Sequence, residues 1–287
     1  MKRWVPFISL SLLWGSSFIL MKRGLDAFTP MQIAALRITI AGLVMIPFIL
    51  GKAKNVPKKA WPFILLIGVC GNAIPAFLFP LAETKINSST TGILNVMSPV
   101  FTLILGLLFF GFTFKKKQNY GVFVGFIGTL ILLLMGGGEV NVGDHIFYSL
   151  LVIFATVLYG LSTNITKRYL QDVSPIYASG FALVFVSIPY WIYLLGFSDI
   201  MSVFQTNEYA WASLGYISIL AALGTSLALV LFYYLVQQTS TIFSASVTYI
   251  IPIVALGWGL LDGETFSPWE LFGMFVIMLG VYLINSK

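Results

Sequence analysis

The chain has 287 residues, of which 59% are hydrophobic and only 9% are charged. Soluble globular domains carry about 25% charged residues, so the composition excludes an ordinary soluble protein. The formal net charge of +6 does not indicate a nucleic-acid partner, because nearly all of the basic residues lie in short loops between long apolar segments.

Ten apolar segments follow one another along the chain. A hydrocarbon core of about 30 Å requires about 20 helical residues, and each segment is long enough to cross it. The segments are 4–21, 30–50, 61–82, 87–111, 119–136, 146–165, 175–196, 210–236, 242–261 and 269–284. Backbone groups in lipid must bond to one another, so each segment is expected to be a helix. The sequence therefore predicts an all-α polytopic membrane protein with ten transmembrane helices.

The distribution of charge predicts the orientation. If the N-terminus is cytoplasmic, twelve of the sixteen lysines and arginines lie in loops on the inside and three lie in loops on the outside. The remaining one, Arg37, lies within an apolar segment. Nine of the ten acidic residues then lie outside. Because cytoplasmic loops are enriched in lysine and arginine, this pattern predicts that both termini are cytoplasmic.

The chain also contains a repeat. Residues 14–30 match residues 159–175 at a constant offset of 145, and a second match, at an offset of about 152, pairs Pro99 with Pro252. The identical pairs of the first match are Gly15/Gly160, Ser17/Ser162, Lys22/Lys167, Arg23/Arg168, Leu25/Leu170 and Pro30/Pro175. Each copy holds five segments, an odd number, so the second copy must insert with the opposite orientation. We therefore predict two inverted five-helix repeats, residues 1–138 and 146–287, with a substrate site between them near the bilayer midplane.

These residues resemble those of the EamA family of the drug/metabolite transporter superfamily. The resemblance is carried by Trp14-Gly15-Ser16-Ser17-Phe18, Lys22, Pro30, Arg37, Ser98-Pro99-Val100, Pro252, Gly263-Glu264 and the glycine-spaced fifth and tenth segments. It covers the whole chain and implies a bacterial inner-membrane carrier that moves amino acids, metabolites or drug-like compounds, often outward. One departure is that the glutamate present as Glu264 in the second copy is replaced by Phe112 in the first.

Polar side chains in the middle of a segment are candidates for the site, because they are costly in hydrocarbon unless they face protein or water. The predicted substrate-binding residues are Ser11, Trp14, Ser17, Asn72, Phe79, Thr91, Asn95, Ser98, Thr156, Tyr159, Thr225, Ser226, Tyr233, Thr248 and Tyr249. For any single serine or threonine, a bond to its own helix is the alternative. A pocket that is uncharged, aromatic and rich in hydroxyls favours neutral, zwitterionic or amphipathic solutes. It disfavours phosphates, which need convergent lysines or arginines.

Prolines and charges complete the predicted site. Pro99 and Pro252 occupy equivalent places and are predicted hinges, with a static kink as the alternative. Arg37, Glu83 and Glu264 are predicted charges at the rim, with the arginine reaching outward to Asp26 or Glu83. Since the acidic residues all lie in loops or near segment ends, we expect no titrating carboxylate in the central pocket.

The function that these features predict is secondary transport of small metabolites by alternating access, with export as the direction. A translocator of lipid-linked substrates, resembling a flippase, is the alternative. An intramembrane enzyme would need a metal pair, a nucleophile with its base or paired acids at depth. The single histidine, His145, lies in a loop, so neither an enzyme nor a cofactor is expected. The expected partners are a small-molecule substrate and the bilayer, without nucleic acid, for a monomer or weak homodimer.

Overall fold

The computed structural model of the protein describes residues 3–86, 91–92, 94–135, 146–254 and 268–285, and every regular element in these ranges is a helix. In the first half the helices are α1 (Trp4–Gly15), α2 (Ser17–Gly24), α3 (Pro30–Ile49), α4 (Trp61–Gly68), α5 (Ile74–Glu83), α6 (Ser98–Phe109) and α7 (Lys116–Met135). In the second half they are α8 (Ile146–Tyr169), α9 (Pro175–Gly196), α10 (Ile200–Thr206), α11 (Ala210–Ile219), α12 (Ala228–Gln238), α13 (Thr241–Ala245) and α14 (Pro268–Asn285).

Several of these helices follow one another without a loop and form longer helical rods, which match the predicted segments. Six rods within the described residues are long and apolar enough to cross a membrane: Trp4–Gly24, Pro30–Ile49, Lys58–Glu83, Ile146–Tyr169, Pro175–Gly196 and Ala210–Gln238. Shorter apolar helices are Asn95–Phe109, Thr241–Val254 and Leu271–Asn285. The prediction of an all-helical polytopic membrane protein is confirmed. Ten crossings and the inverted arrangement stay predictions.

Irregular helical turns occur at corresponding places in the two halves. A π-helix, Val69–Ala73, interrupts the third predicted segment, and a second, Leu220–Leu227, interrupts the eighth. Short 3₁₀ helices lie in the fourth segment at Asn95–Met97 and in the ninth at Ser246–Tyr249. Proline lacks the N–H that an α-helix needs, so Pro75 explains why regular hydrogen bonding fails just before α5.

The helix starts follow local rules. Thr29 caps α3, its hydroxyl accepts from the backbone of Gln32, and the Gln32 side chain accepts from the Thr29 backbone. Pro30 occupies the first turn of α3, where its missing N–H is not needed, and Pro175 does the same in α9. These two prolines lie at equivalent positions of the repeat.

Glycines allow the backbones of α7 and α14 to touch. A Cβ atom added at Gly121 would lie 2.7 Å from the Ile284 nitrogen, and one added at Gly128 would lie 2.6 Å from the Ile277 nitrogen. Lipid provides no hydrophobic force between helices, so close packing at small residues has to hold them together. The glycines of the fifth segment therefore form a packing face against the tenth.

Large apolar side chains cover the outside of the bundle. Leu108 is 71% exposed, Phe109 is 73% exposed and Phe275 is 66% exposed, and many other large apolar side chains of the described helices are exposed as well. Soluble monomers rarely expose contiguous apolar patches of this kind. The outer surface is therefore suited to contact lipid chains.

Candidate functional site

A cavity lies among the helices and is lined by residues of both halves of the chain. It contains about 890 Å³ of atom-free space, its open mouth included. The part of this space that the centres of water-sized molecules can occupy is about 100 Å³, which is room for several waters.

Ten of the fifteen predicted substrate-binding residues line this cavity. They are Trp14, Ser17, Asn72, Phe79, Asn95, Ser98, Tyr159, Thr225, Tyr233 and Thr248. They come from the first, third, fourth, sixth, eighth and ninth predicted segments. Asn95 and Thr248, which occupy equivalent positions in the two copies, both face the same space.

The structure does not bring the other five predicted residues to the cavity wall. Ser11 and Thr156 donate hydrogen bonds to carbonyl oxygens of their own helices, at 2.9 and 2.7 Å. Ser226 and Tyr249 donate to carbonyl oxygens of neighbouring helices, at 3.1 and 2.7 Å. Thr91 is fully buried outside the lining. Ser11 and Thr156 therefore follow the alternative of a bond to their own helix.

Twelve other lining residues were not among the predicted substrate-binding residues, although Arg37 was predicted as a rim charge. They are Phe18, Met21, Arg37, Gly71, Thr102, Ser162, Thr163, Gly224, Leu229, Phe232, Ala245 and Ile251. Two of them carried a signal in the sequence, because Ser162 is the repeat partner of Ser17 and Thr102 follows Asn95 and Ser98 at helical spacing in the fourth segment. The apolar ones had no such signal, since mid-segment apolar residues are equally expected to face lipid.

Arg37 is the main correction to the predicted site. It lines the cavity instead of the rim, and its Nε donates to Thr225 Oγ1 at 2.8 Å. Asp26, an acid toward which we expected the arginine to extend, instead pairs with Arg23 at 3.8 Å. Position 37 lies two turns inside α3, so its side chain reaches the adjacent π-helix more readily than the surface. The expectation of an uncharged pocket was therefore wrong.

Glu83, which the sequence predicts at the rim, has a buried side chain. Both of its carboxylate oxygens are buried and have no hydrogen-bond partner among the described residues. Lys22 and Arg37 are the positive charges that interact with it electrostatically. Glu83 ends α5 beside the cavity without lining it. Glu264, the third predicted rim charge, lies outside the described residues.

The two π-helices present backbone carbonyls to side chains of other helices. Trp14 Nε1 donates to the Gly224 oxygen at 3.0 Å. Tyr190 Oη donates to the Ala73 oxygen at 2.7 Å. A π-turn shifts the backbone bonding pattern by one residue, and such turns occur often at functional sites. In this protein they place polar groups at the cavity and tie it to the surrounding helices.

Aromatic rings form much of the remaining wall. The ring centroids of Phe79 and Tyr159 lie 5.9 Å apart in a stacked arrangement, and Phe18 lies 6.0 Å from Phe79. Trp14 lies 5.1 Å from Phe232. Flat apolar surfaces of this kind can hold the aromatic or aliphatic body of a solute, while the polar groups orient it.

The predicted hinge prolines lie at changes of helix type. Pro99 is the second residue of α6 and follows the 3₁₀ turn Asn95–Met97. Pro252 follows the 3₁₀ turn Ser246–Tyr249. Both breaks border the cavity, so a hinge role stays a prediction with a suitable location.

The described part of the chain contains no group of three or more His, Cys, Asp or Glu side chains that could hold a metal ion. The single cysteine, Cys70, is buried as a free thiol.

Comparison with known proteins agrees with this architecture. A solved crystal structure superposes with a TM-score of 0.76 at 17% identity, covering 99% of this chain and 96% of the other, which shows a shared fold. An uncharacterized transporter of Archaeoglobus fulgidus is 25% identical over the full length of both chains. The uncharacterized inner membrane transporter YedA of Escherichia coli is 25% identical over 97% of this chain and 91% of its own.

A further relative, named as an S-adenosylmethionine/S-adenosylhomocysteine transporter, comes from Chlamydia muridarum. It is 27% identical over 96% of this chain and 89% of its own. The family description that matches the sequence is that of the EamA-like transporters, over residues 3–134 and again over residues 146–286. Because these two matches together span nearly every described helix, the chain belongs to the EamA-like transporter family.

Proposed function

We propose that the protein is a secondary carrier that moves small zwitterionic or amphipathic metabolites out across the bacterial inner membrane by alternating access. The observation that carries this proposal is the cavity, to which both copies of the repeat contribute polar and aromatic side chains. A site shared by two repeats can be exposed to either side when one repeat rocks against the other.

The chemistry of the lining supports this solute class. Amide and hydroxyl groups, such as those of Asn72, Asn95 and Tyr233, lie in the same cavity as the stacked rings of Phe79 and Tyr159. The Chlamydia relative is named for solutes that combine an aromatic base with an amino-acid group. A cavity with both aromatic and polar walls suits molecules of this composition.

The proposed orientation places both termini in the cytoplasm, as the loop charges favour. It can be tested with single cysteines at Lys116 and Glu139 in a Cys70→Ala background. An impermeant thiol reagent applied to intact cells is expected to label position 139 and not position 116. The reverse pattern would overturn the orientation.

The transport proposal can be tested by profiling a metabolite panel. Cells and proteoliposomes that contain the protein are compared with those that contain Asn95→Ala, a cavity variant, and Thr206→Ala, an exposed control on α10. We expect selected solutes to move with the wild type and the control, and to move more slowly with Asn95→Ala. Movement of lipid probes without any solute flux would favour the flippase alternative, and equal flux through both variants would disprove the assigned cavity.

A further inference from the structure

We propose that Arg37 binds a carboxylate group of the transported solute, an inference that rests on the proposed function and specifies its substrate class. The first observation is the position of the side chain. Arg37 lines the cavity, and it is the charged residue among those that the structure places along the lining. A positive charge built into an otherwise neutral cavity favours solutes with a complementary negative group.

The second observation is that the guanidinium group retains unused donors. Its Nε donates to Thr225 Oγ1, and its two terminal nitrogens make no hydrogen bond to any described residue. The ion pair found within 4 Å among the described residues is Arg23 with Asp26, so Arg37 is not directly paired. Arginine stays protonated in proteins, and its planar terminal nitrogens match the two oxygens of a carboxylate.

The third observation is how Thr225 holds the arginine. The Thr225 hydroxyl accepts from Arg37 and donates to the Leu220 carbonyl, five residues earlier in the π-helix. The π-turn therefore fixes the direction of the guanidinium group through one hydroxyl. A fixed fork loses less conformational freedom on binding than a mobile lysine, which favours a specific contact with a carboxylate.

Charge counting narrows the class of solute. The repeat partner of Arg37 is Ala182, so the second copy contributes no matching cation. A single positive charge balances a monoanionic carboxylate, whereas phosphate esters require several convergent cations. The amides of Asn72 and Asn95 and the rings of the cavity wall can receive an adjacent ammonium group and an apolar body. The inferred solutes are therefore amino-acid-like monocarboxylates.

Glu83 offers a structural explanation that the test must separate from this proposal. Arg37 interacts electrostatically with the buried Glu83 carboxylate, although no contact within 4 Å joins them. If balancing Glu83 were the whole role of Arg37, removing both charges together would leave solute preference unchanged.

The experiment measures binding to the purified full-length protein with solutes that differ at the carboxylate. The probes are L-phenylalanine with L-phenylalaninamide, L-methionine with L-methioninamide, and S-adenosylhomocysteine with its carboxamide. The variants are Arg37→Gln, Arg37→Gln/Glu83→Gln and the exposed control Arg23→Gln. We expect at least one acid to bind the wild type tenfold or more tightly than its partner. That preference should fall by about tenfold to a hundredfold in both Arg37 variants, as expected for charge-assisted hydrogen bonds, and persist in Arg23→Gln.

Several outcomes would overturn the inference. They are the absence of binding by any acid, equal binding of acid and amide by the wild type, and an acid preference that survives in Arg37→Gln or in the double variant. Equally tight binding of inorganic phosphate or chloride would replace it with a general anion site. If Arg37→Gln does not fold, the double variant and the wild-type acid–amide comparison still decide the question.

Transport in proteoliposomes separates this inference from the proposed function. Acid binding that depends on Arg37 but occurs without flux would support the carboxylate site and disprove the proposal that the protein is a carrier. Flux that does not distinguish acids from amides would support the carrier proposal and disprove the carboxylate site at Arg37.

Discussion

Replacement of Gly280 by alanine tests the backbone contact between α7 and α14. A Cβ atom at position 280 would lie 2.5 Å from the nitrogen and 2.6 Å from the Cα of Gly125, and 2.9 Å from the oxygen of Gly121. All three are backbone atoms, so no side-chain rotation can make room for the new methyl group. The two helices must move apart, or α14 must shift along its axis.

The expected cost follows from these distances. Non-bonded carbon atoms are most favourable at about 3.5–4.0 Å, so the helices must separate by roughly 1 Å. Overpacking costs about 1–3 kcal/mol, and three backbone contacts below 3 Å place this site at about 3 kcal/mol. Alanine stabilises a helix by about 1 kcal/mol relative to glycine, which offsets part of the cost of overpacking. The net loss is about 2 kcal/mol, which corresponds to a decrease in Tm of about 3 °C for a chain of 287 residues.

Gly215 provides a matched control within α11, because a Cβ atom added there meets no heavy atom within 4 Å. Gly215→Ala is expected to leave the Tm unchanged or to raise it slightly. Unfolding can be followed with a thiol-reactive fluorogenic dye, since Cys70 is the single cysteine and is buried. If Gly280→Ala melts with the wild type or above it in detergent micelles, the proposed close contact of the two helices is refuted.

Three further predictions use the same melting assay. Trp14→Phe should lower the free energy of unfolding by about 1–3 kcal/mol, because the Gly224 carbonyl loses its indole donor; an unchanged Tm would contradict that bond. Tyr190→Phe should lower the free energy of unfolding by a similar amount, because the Ala73 carbonyl loses its hydroxyl donor. An unchanged Tm would contradict the role of this hydrogen bond. Lys167→Met should lower the free energy of unfolding by about 1 kcal/mol, because two carbonyls at the end of α12 lose their ammonium donor. The exposed control Arg168→Met should change it by less than about 0.5 kcal/mol, and equal effects of the two variants would contradict the hydrogen bonds of Lys167.

The class of fold could be predicted from the sequence because the solvent constrains it so strongly. Long apolar segments in lipid must be helical, so composition and segment length were sufficient to predict the rods. The positions of Trp14, Asn95 and Thr248 in the cavity were also predictable. Polarity at mid-segment indicates depth, and recurrence of that polarity in both copies of the repeat indicates a shared face.

Irregular helical geometry was less accessible to sequence reasoning. Pro99 and Pro252 were predicted from the sequence as hinges or kinks, but a proline does not specify whether the chain forms a π-turn or a 3₁₀ turn. The π-helix that contains Thr225 has no proline within it. Its form depends on hydrogen bonds that Thr225 and Ser226 make to carbonyls five residues earlier, and on the side chains that approach from other helices.

The sequence by itself determined which residues lie at membrane depth, and only the tertiary structure decided what each of them faces. Helical periodicity groups Arg37 with one face of α3, but the neighbour of that face depends on how α3 rotates and packs against the eighth segment. The same dependence buried the Glu83 carboxylate and turned Ser11 and Thr156 back to their own helices. Depth is a property of one helix and its solvent, whereas the partner of a side chain is a property of the whole bundle.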